Sequence, residues 1–385
     1  MVTDLFLSKI HLPIIVAGLL WTFGAPSFAN AETVYQSEHY EFTLTQISDG
    51  LERPWGLAFL PNGDMLVTER VGQLRIIKEG KLERKPISGL PDNIYASGQG
   101  GLLDVILHPD FENNQMIYLS YAGNGEGGAG TEVARGILKD NALHNVETIF
   151  VAQPKTHGSN HYGSRMVFAE DGTLFITTGD RYHRLLDAQD PNNHLGTIVR
   201  LNDDGSVPED NPFAKKENHQ PEVFSFGHRN VQGVALRPED QSIWSHEHGP
   251  RGGDEVNKLM PGANYGWPSI TYGIDYSGAI ISEFTHAPGM EQPIVYWDPS
   301  IAPCGMTFYS GDRFPEWKGN LFVGALVQQH LRRLELQGDK VVVQEVLLKD
   351  MARIRDVRTG PDGYLYILTD ERKNGKVLRL EPINE

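Results

Sequence analysis

The sequence predicts an all-β fold: a six-bladed β-propeller of four-stranded antiparallel blades, with its working loops on one face near the central axis. Two observations lead there. A unit of strand, tight turn and strand recurs six times in order, and no long helical periodicity interrupts it. The 385-residue chain also has one cysteine, Cys304, so no internal disulfide can hold it together.

The first element is a leader. Lys9 precedes an uncharged apolar run from Leu12 to Ala25, and Ser27-Phe-Ala-Asn-Ala31 offers small residues at Ala29 and Ala31. That pattern suits signal peptidase, so residues 1–31 are expected to be a cleaved signal peptide and 32–385 a single domain, periplasmic or secreted. Gly24 and Pro26 break the run. It falls short of the about 20 apolar residues a membrane span needs, so no span is expected in the mature form.

The repeats come next. Leu57-Ala-Phe-Leu-Pro-Asn-Gly-Asp-Met-Leu-Val67 is echoed by Met166-Val-Phe-Ala-Glu-Asp-Gly-Thr-Leu-Phe-Ile176 and Val357-Arg-Thr-Gly-Pro-Asp-Gly-Tyr-Leu-Tyr-Ile367. Val105-Ile-Leu-His-Pro-Asp-Phe111 leads to Met116-Ile-Tyr-Leu-Ser120, Val234-Ala-Leu-Arg-Pro238 to Ile243-Trp244, and Met306-Thr-Phe308 to Asn320-Leu-Phe-Val323. Gly or Asn in the clearest of these turns supplies the positive φ a tight hairpin requires. Several copies are followed by an expected outer strand bearing Arg: Leu74-Arg-Ile76, Val199-Arg-Leu201 and Leu378-Arg-Leu380. Residues before Leu51 are free to close the ring against the last blade. The Gly-rich stretch Gly123–Gly130 lacks the Lys-Ser/Thr of a phosphate loop and reads as a hairpin tip.

Charge narrows the partners. With 34 Lys and Arg against 50 Asp and Glu, the net charge of −16 excludes a nucleic-acid surface or adhesion to acidic lipid. Against that background, clustered cations in loops carry information. A propeller is a scaffold whose loops decide its chemistry.

Gln99, between glycines in Ser97-Gly-Gln-Gly-Gly-Leu-Leu103, could approach a ligand closely or sit solvated in a plain turn. His161, in His157-Gly-Ser-Asn-His-Tyr-Gly-Ser-Arg165, could be a general base or an ordinary loop histidine. Arg229, in Ser225-Phe-Gly-His-Arg-Asn-Val-Gln-Gly233, precedes an inner strand and should face the axis, where a guanidinium needs an anion or carbonyls. Asp254 and Glu255, followed by Asn264-Tyr-Gly-Trp-Pro268, suit Ca²⁺, which accepts many oxygen ligands. His246 and His248 leave a zinc reading open, and a plain acidic turn is a third. Arg353 and Arg355 alternate across Ile354, so both guanidinium groups share one strand face and suggest a small, multiply anionic ligand.

Taken with Gly227-His-Arg-Asn230 and Arg353-Ile-Arg-Asp-Val-Arg-Thr-Gly-Pro-Asp-Gly363, these motifs make the chain resemble the soluble glucose/sorbosone dehydrogenases, closest to periplasmic aldose sugar dehydrogenases that use pyrroloquinoline quinone (PQQ). The resemblance runs from Pro54 to Leu380. It implies oxidation of an aldose at its anomeric hydroxyl, with His161 as general base and Arg229 stabilising charge on the quinone oxygen. It implies cofactor contacts at Gln99, Asn230, Tyr276, Ala325, Leu326, Val327, Arg353, Ile354 and Arg355. Glu255 and the Tyr265 carbonyl match a calcium site, and Gly249 and Pro250 match carbonyls near a cofactor-bound calcium. It further implies a quinone or haem-type electron acceptor. One departure stands out: Val327 occupies a strand end where relatives often present lysine. A metal-dependent lactonase and a non-catalytic binding propeller are the competing readings.

Overall fold

Strand length and apolar runs set the architecture. In the computed structural model, which describes residues 33–383, six antiparallel sheets follow one another along the chain. The leader expected at 1–31 lies outside the described residues. The first strands of the six blades are Pro54–Phe59, Leu102–Leu107, Met166–Phe168, Val231–Leu236, Pro303–Phe308 and Ile354–Thr359. Each touches the first strand of the blades on either side, the last touching the first, so the ring closes.

Each sheet is covered on both faces by its neighbours, so its central strands read as continuous apolar runs. Leu321–Ala325 and Leu365–Thr369 are buried throughout, whereas the outermost strand Lys340–Leu347 alternates with solvent. Six apolar clusters fill the six gaps between blades. The gap between blades 5 and 6 holds Phe314, Trp317 and Phe322 against Val357 and Leu365; that between blades 1 and 2 holds Leu66 and Leu74 against Val105 and Ile117.

Glu41–Leu51 pairs with Gly375–Pro382, so the N-terminal segment closes the ring as the fourth strand of blade 6. The two-residue strand Tyr35–Gln36 adds a fifth strand to that blade alone. The Arg-bearing strands are a correction: Gln73–Lys78, Thr197–Leu201 and Gly375–Pro382 are third in their sheets, not outermost. Their arginines reach acids beside them, such as Glu69 for Arg75 at 3.2 Å.

The axis is pinned by one side chain. Arg165, fully buried, lies before the first strand of blade 3 and reaches the other five. Its guanidinium donates to the carbonyls of Trp55 (3.4 Å), Gln232 (3.1 Å) and Arg355 (2.8 Å), and lies 3.8 Å from the Cys304 sulfur. It pairs with Asp104 at 3.3 Å and Asp356 at 3.2 Å, and stacks 3.9 Å over the Trp55 ring. Cys304 is thus a small buried filler among guanidinium groups.

Candidate active site

In every blade the first strand begins, and the second ends, on the same face of the ring, because neighbouring strands are antiparallel. The loops carrying Gln99, His161, Arg229 and Arg353 all meet there.

His161 sits in a left-handed backbone conformation (φ 54°) that its neighbours enforce. Its N–H donates to Gln99 Oε1 at 2.8 Å. The Arg181 guanidinium stacks 3.6 Å over Tyr162 and donates to the carbonyls of Gly158, Asn160 and His161. Gly179 lies against the His161 carbonyl, where a Cβ would come within 2.5 Å of the oxygen.

The ring is oriented as firmly. His161 Nδ1 is 2.6 Å from Asp180 Oδ1, and Asp180 also accepts from Trp267 Nε1 (2.8 Å) and the Tyr182 N–H (2.8 Å). Burial would raise the Asp180 carboxyl, but His161 and then Arg229 hold it below its ordinary range. An ionised carboxylate can only accept, so Nδ1 carries the proton and Nε2 keeps its lone pair. Burial lowers the His161 pKa, and Arg229 and Arg181 add to that against the pull of Asp180. His161 is therefore a neutral imidazole at pH 7, with Nε2 able to take a proton.

Arg229 is anchored by carbonyls, as a buried guanidinium must be. Its Nη1 donates to His248 O (3.0 Å) and Gly249 O (2.8 Å), and its own N–H donates to Glu247. The guanidinium carbon lies 5.2 Å from the Trp267 ring and 5.9 Å from that of Tyr276. Next to it, Asn230 Oδ1 accepts from the Gly163 N–H at 3.1 Å, which ties this loop to that of His161.

A cavity of about 230 Å³ opens between these loops, lined by Gln99, Asn230, Arg70, Arg353, Arg355 and Asp370 among others. Arg353 and Arg355 do face the same way. Asp370 Oδ2 meets Arg353 Nη2 at 2.9 Å and Oδ1 meets Arg355 Nη2 at 2.9 Å. Burial opposes ionisation of Asp370, yet Arg355 and Arg353 lower its pKa to about 2. A wider cleft of about 610 Å³, lined by Tyr276, Pro250 and Tyr272, shares His248, Ala302 and Val327 with the first.

The expected contact residues are divided by this geometry. Leu326 lines the cavity, and its carbonyl accepts from Arg353 Nη1 at 3.1 Å. Val327 is 59 % exposed at the junction of the two cavities. Ala325 and Ile354 have fully buried side chains in the cores between blades, because alternation turns them away from the site; only their backbone can face a ligand. Tyr276 stands 58 % exposed on the wider cleft.

The acidic loop separates likewise. Asp254 is a structural anchor, accepting from Gly249, Ile301 and Ala302 N–H and from Ser300 Oγ. Glu255 sits beside Glu247, Tyr265 and Gly249 in a narrow gap, while Pro250 lies on the wider cleft. Burial, then the charge of Glu247, pushes the Glu255 carboxyl up to about 8. Neither Nε2 of the two histidines considered for zinc is free to hold a metal. His246 Nε2 and His248 Nε2 lie 3.2 and 2.7 Å from the carbonyls of Gly305 and Pro303, so each carries a hydrogen there and offers that carbonyl a donor.

Asp180, Arg70 and Asp370 stand in none of the sequence motifs above, and Glu247, between His246 and His248, and Trp267 stand in them without a role. A signal existed for most of them. Second strands Met65–Glu69, Leu174–Thr177, Ile243–Glu247 and Leu365–Thr369 all end on this face, so Arg70, Asp180, Glu247 and Asp370 occupy related positions in the repeat.

Residues 51–379 match the Glucose / Sorbosone dehydrogenase family. The aldose sugar dehydrogenase YliI of Escherichia coli is 45% identical over 378 residues, covering 96% of this chain and 97% of that protein. A crystal structure of a glucose dehydrogenase superposes with a TM-score of 0.85 at 51% identity, covering 88% of this chain and 99% of the other. The PQQ-bound aldose sugar dehydrogenase of Streptomyces coelicolor superposes with a TM-score of 0.73 at 26% identity, covering 88% and 98%.

Proposed function

The chain belongs to the glucose/sorbosone dehydrogenase family, and from that premise we propose that it is a PQQ- and calcium-dependent aldose dehydrogenase oxidising the anomeric hydroxyl to a lactone. The observation that carries this reading is His161, a buried neutral base locked by Asp180 beside an arginine-lined cavity.

The donor set fits both groups. Arg70, Arg353 and Arg355 against Asp370 alone leave the cavity net positive, which suits the three carboxylates of PQQ. Buried Glu247 and partly exposed Glu255, side by side near Tyr265, make an oxygen-rich set of the kind calcium takes. When bound, the quinone supplies the acceptor for the hydride leaving the anomeric carbon.

The chain's own groups do the rest. His161 Nε2 takes the hydroxyl proton as the carbon–oxygen double bond forms, and Asp180 stabilises the imidazolium that results. Gln99 and Arg181 hold the His161 backbone so that the ring need not reorganise. Arg229, fixed on two carbonyls, presents positive charge to oxygen atoms that gain negative charge. Tyr276, Tyr272 and Pro250 in the wider cleft offer apolar walls for the sugar. With the leader expected at 1–31, this work belongs in the periplasm or beyond, and the family resemblance supports a quinone or haem-type electron acceptor.

Reconstitution tests the proposal. The purified mature protein, given PQQ and Ca²⁺, should reduce an artificial dye with several aldoses and should not do so without PQQ. Failure of PQQ to bind or to support turnover with any aldose would remove the dehydrogenase reading.

A further inference from the structure

Arg70 follows the second strand of blade 1, Met65–Glu69, and lines the same cavity as Arg353 and Arg355. Those two are already served: they share both oxygens of Asp370, each through Nε and Nη2 at 2.9–3.2 Å. Arg353 also donates to Leu326 O, and Arg355 to the Cys304 sulfur. The Arg70 guanidinium has no hydrogen bond or ion pair with any protein group among the described residues.

A half-buried arginine without a partner costs stability, because its donors are partly desolvated and nothing replaces the lost water. The surroundings add to that cost: burial, then the charge of Arg355, lowers its pKa to about 10. The one acid lining the cavity, Asp370, is saturated by the other two arginines. His248, also in the wall, stays neutral because burial holds its pKa well below the ordinary value.

The root of the Arg70 side chain is fixed by the loop that carries Gln99. Gly101 (φ 148°) presses onto it so closely that a Cβ there would lie 1.8 Å from the Arg70 carbonyl oxygen and 2.7 Å from its Cγ. The backbone of the Gln99 loop therefore confines Arg70 at the cavity wall.

We propose that Arg70 is a third anion-binding arginine of the cofactor cavity, pairing a carboxylate of PQQ and providing a cation where the Val327 edge carries none. This rests on the PQQ reading. The unmet charge before binding is what makes the contact productive: a carboxylate brings two acceptors to a planar fork that has none, in a setting where water is already partly excluded.

The test compares wild type with Arg70→Met and Arg70→Lys by fluorescence titration of PQQ, with calcium held constant, and by melting of the cofactor-free proteins. Arg70→Met is expected to weaken PQQ binding about 10- to 100-fold, by the scale of one charge-assisted pair, and Arg70→Lys less. The salt dependence of Kd should fall in Arg70→Met, and the PQQ trimethyl ester should bind wild type and variant alike. The cofactor-free melting temperature should be unchanged or raised in Arg70→Met, since a repulsive charge has gone. Equal PQQ affinity in wild type and variant would overturn this proposal and leave the dehydrogenase reading standing. So would a fall in cofactor-free melting temperature that matches the loss of affinity. A wild type that does not bind PQQ would overturn both.

Discussion

Replacing Arg165 with methionine tests what holds six blades to one axis. The side chain is fully buried, pairs with two carboxylates and donates to three backbone carbonyls from different blades. Methionine keeps most of the volume and the contact with Trp55, so the loss is chiefly electrostatic. Asp104 and Asp356 would then share Arg358 alone, which lies 3.1 and 3.0 Å away. Removing one partner of a buried ion pair costs about 3–5 kcal/mol. Unfolding entropy of about 2.1 cal/mol/K per residue gives about 0.7 kcal/mol/K for this chain, so the melting temperature should fall by about 4–7 °C. Calorimetry of the cofactor-free protein measures that directly. Asp104→Asn provides the cross-check: the double variant should lose less than the sum of the two single ones, because both remove the same contact. A melting temperature within about 1 °C of wild type, or strict additivity, would refute Arg165 as the axial pin.

Two further outcomes follow from the site. Asp180→Asn should lower kcat about 10²- to 10⁴-fold at neutral pH with PQQ affinity kept, because the imidazole loses both its enforced tautomer and its counter-charge. Since Asp180 raises the His161 pKa, the acid limb of kcat/KM should also move to lower pH; an unchanged profile would deny Asp180 its orienting role. Glu255, held near 8 in the fold against 4.5 as its ordinary value, keeps a proton that the unfolded chain has lost. The folded protein without metal should therefore lose stability as pH rises through that window. Calcium replaces the proton, so the stabilisation it gives, read as a rise in melting temperature, should be larger at pH 8 than at pH 5; at a hundredfold excess over Kd the free energy gained is about 2.7 kcal/mol. Glu255→Gln should abolish that gain, and an equal gain in the variant would move the metal elsewhere.

The ring was legible because its punctuation repeats. Pro61-Asn-Gly63 and Pro361-Asp-Gly363 mark equivalent hairpins, with Gly63 at φ 88° and Gly363 at φ 81°. Closure by Glu41–Leu51 was legible as well, since an unassigned N-terminal segment and an incomplete last blade imply each other. Strand rank was not. Arg75, Arg200 and Arg379 read as outer residues, and each is partly exposed beside its acid, although the third strands that carry them are largely buried.

At the site, residues before first strands were found through their glycines and clustered polar groups. Those after second strands were missed, because what gives Asp180, Asp370 and Arg70 meaning lies far away in sequence. Asp180 is read by Trp267, 87 residues on. Arg70 lines a cavity with Arg353 and Arg355 from the last blade. Ala325 and Ile354 adjoin cavity residues in sequence, whereas strand alternation sends their side chains to the core.

The central claim is that His161, oriented by Asp180, accepts the substrate proton in a PQQ site. The most direct measurement mixes PQQ- and calcium-loaded protein rapidly with an aldose, without electron acceptor, and follows the absorbance change that accompanies sugar oxidation. Wild type should react fast. His161→Gln, loaded to the same extent, should react about 10²- to 10⁴-fold more slowly. Equal rates at equal loading would contradict the account.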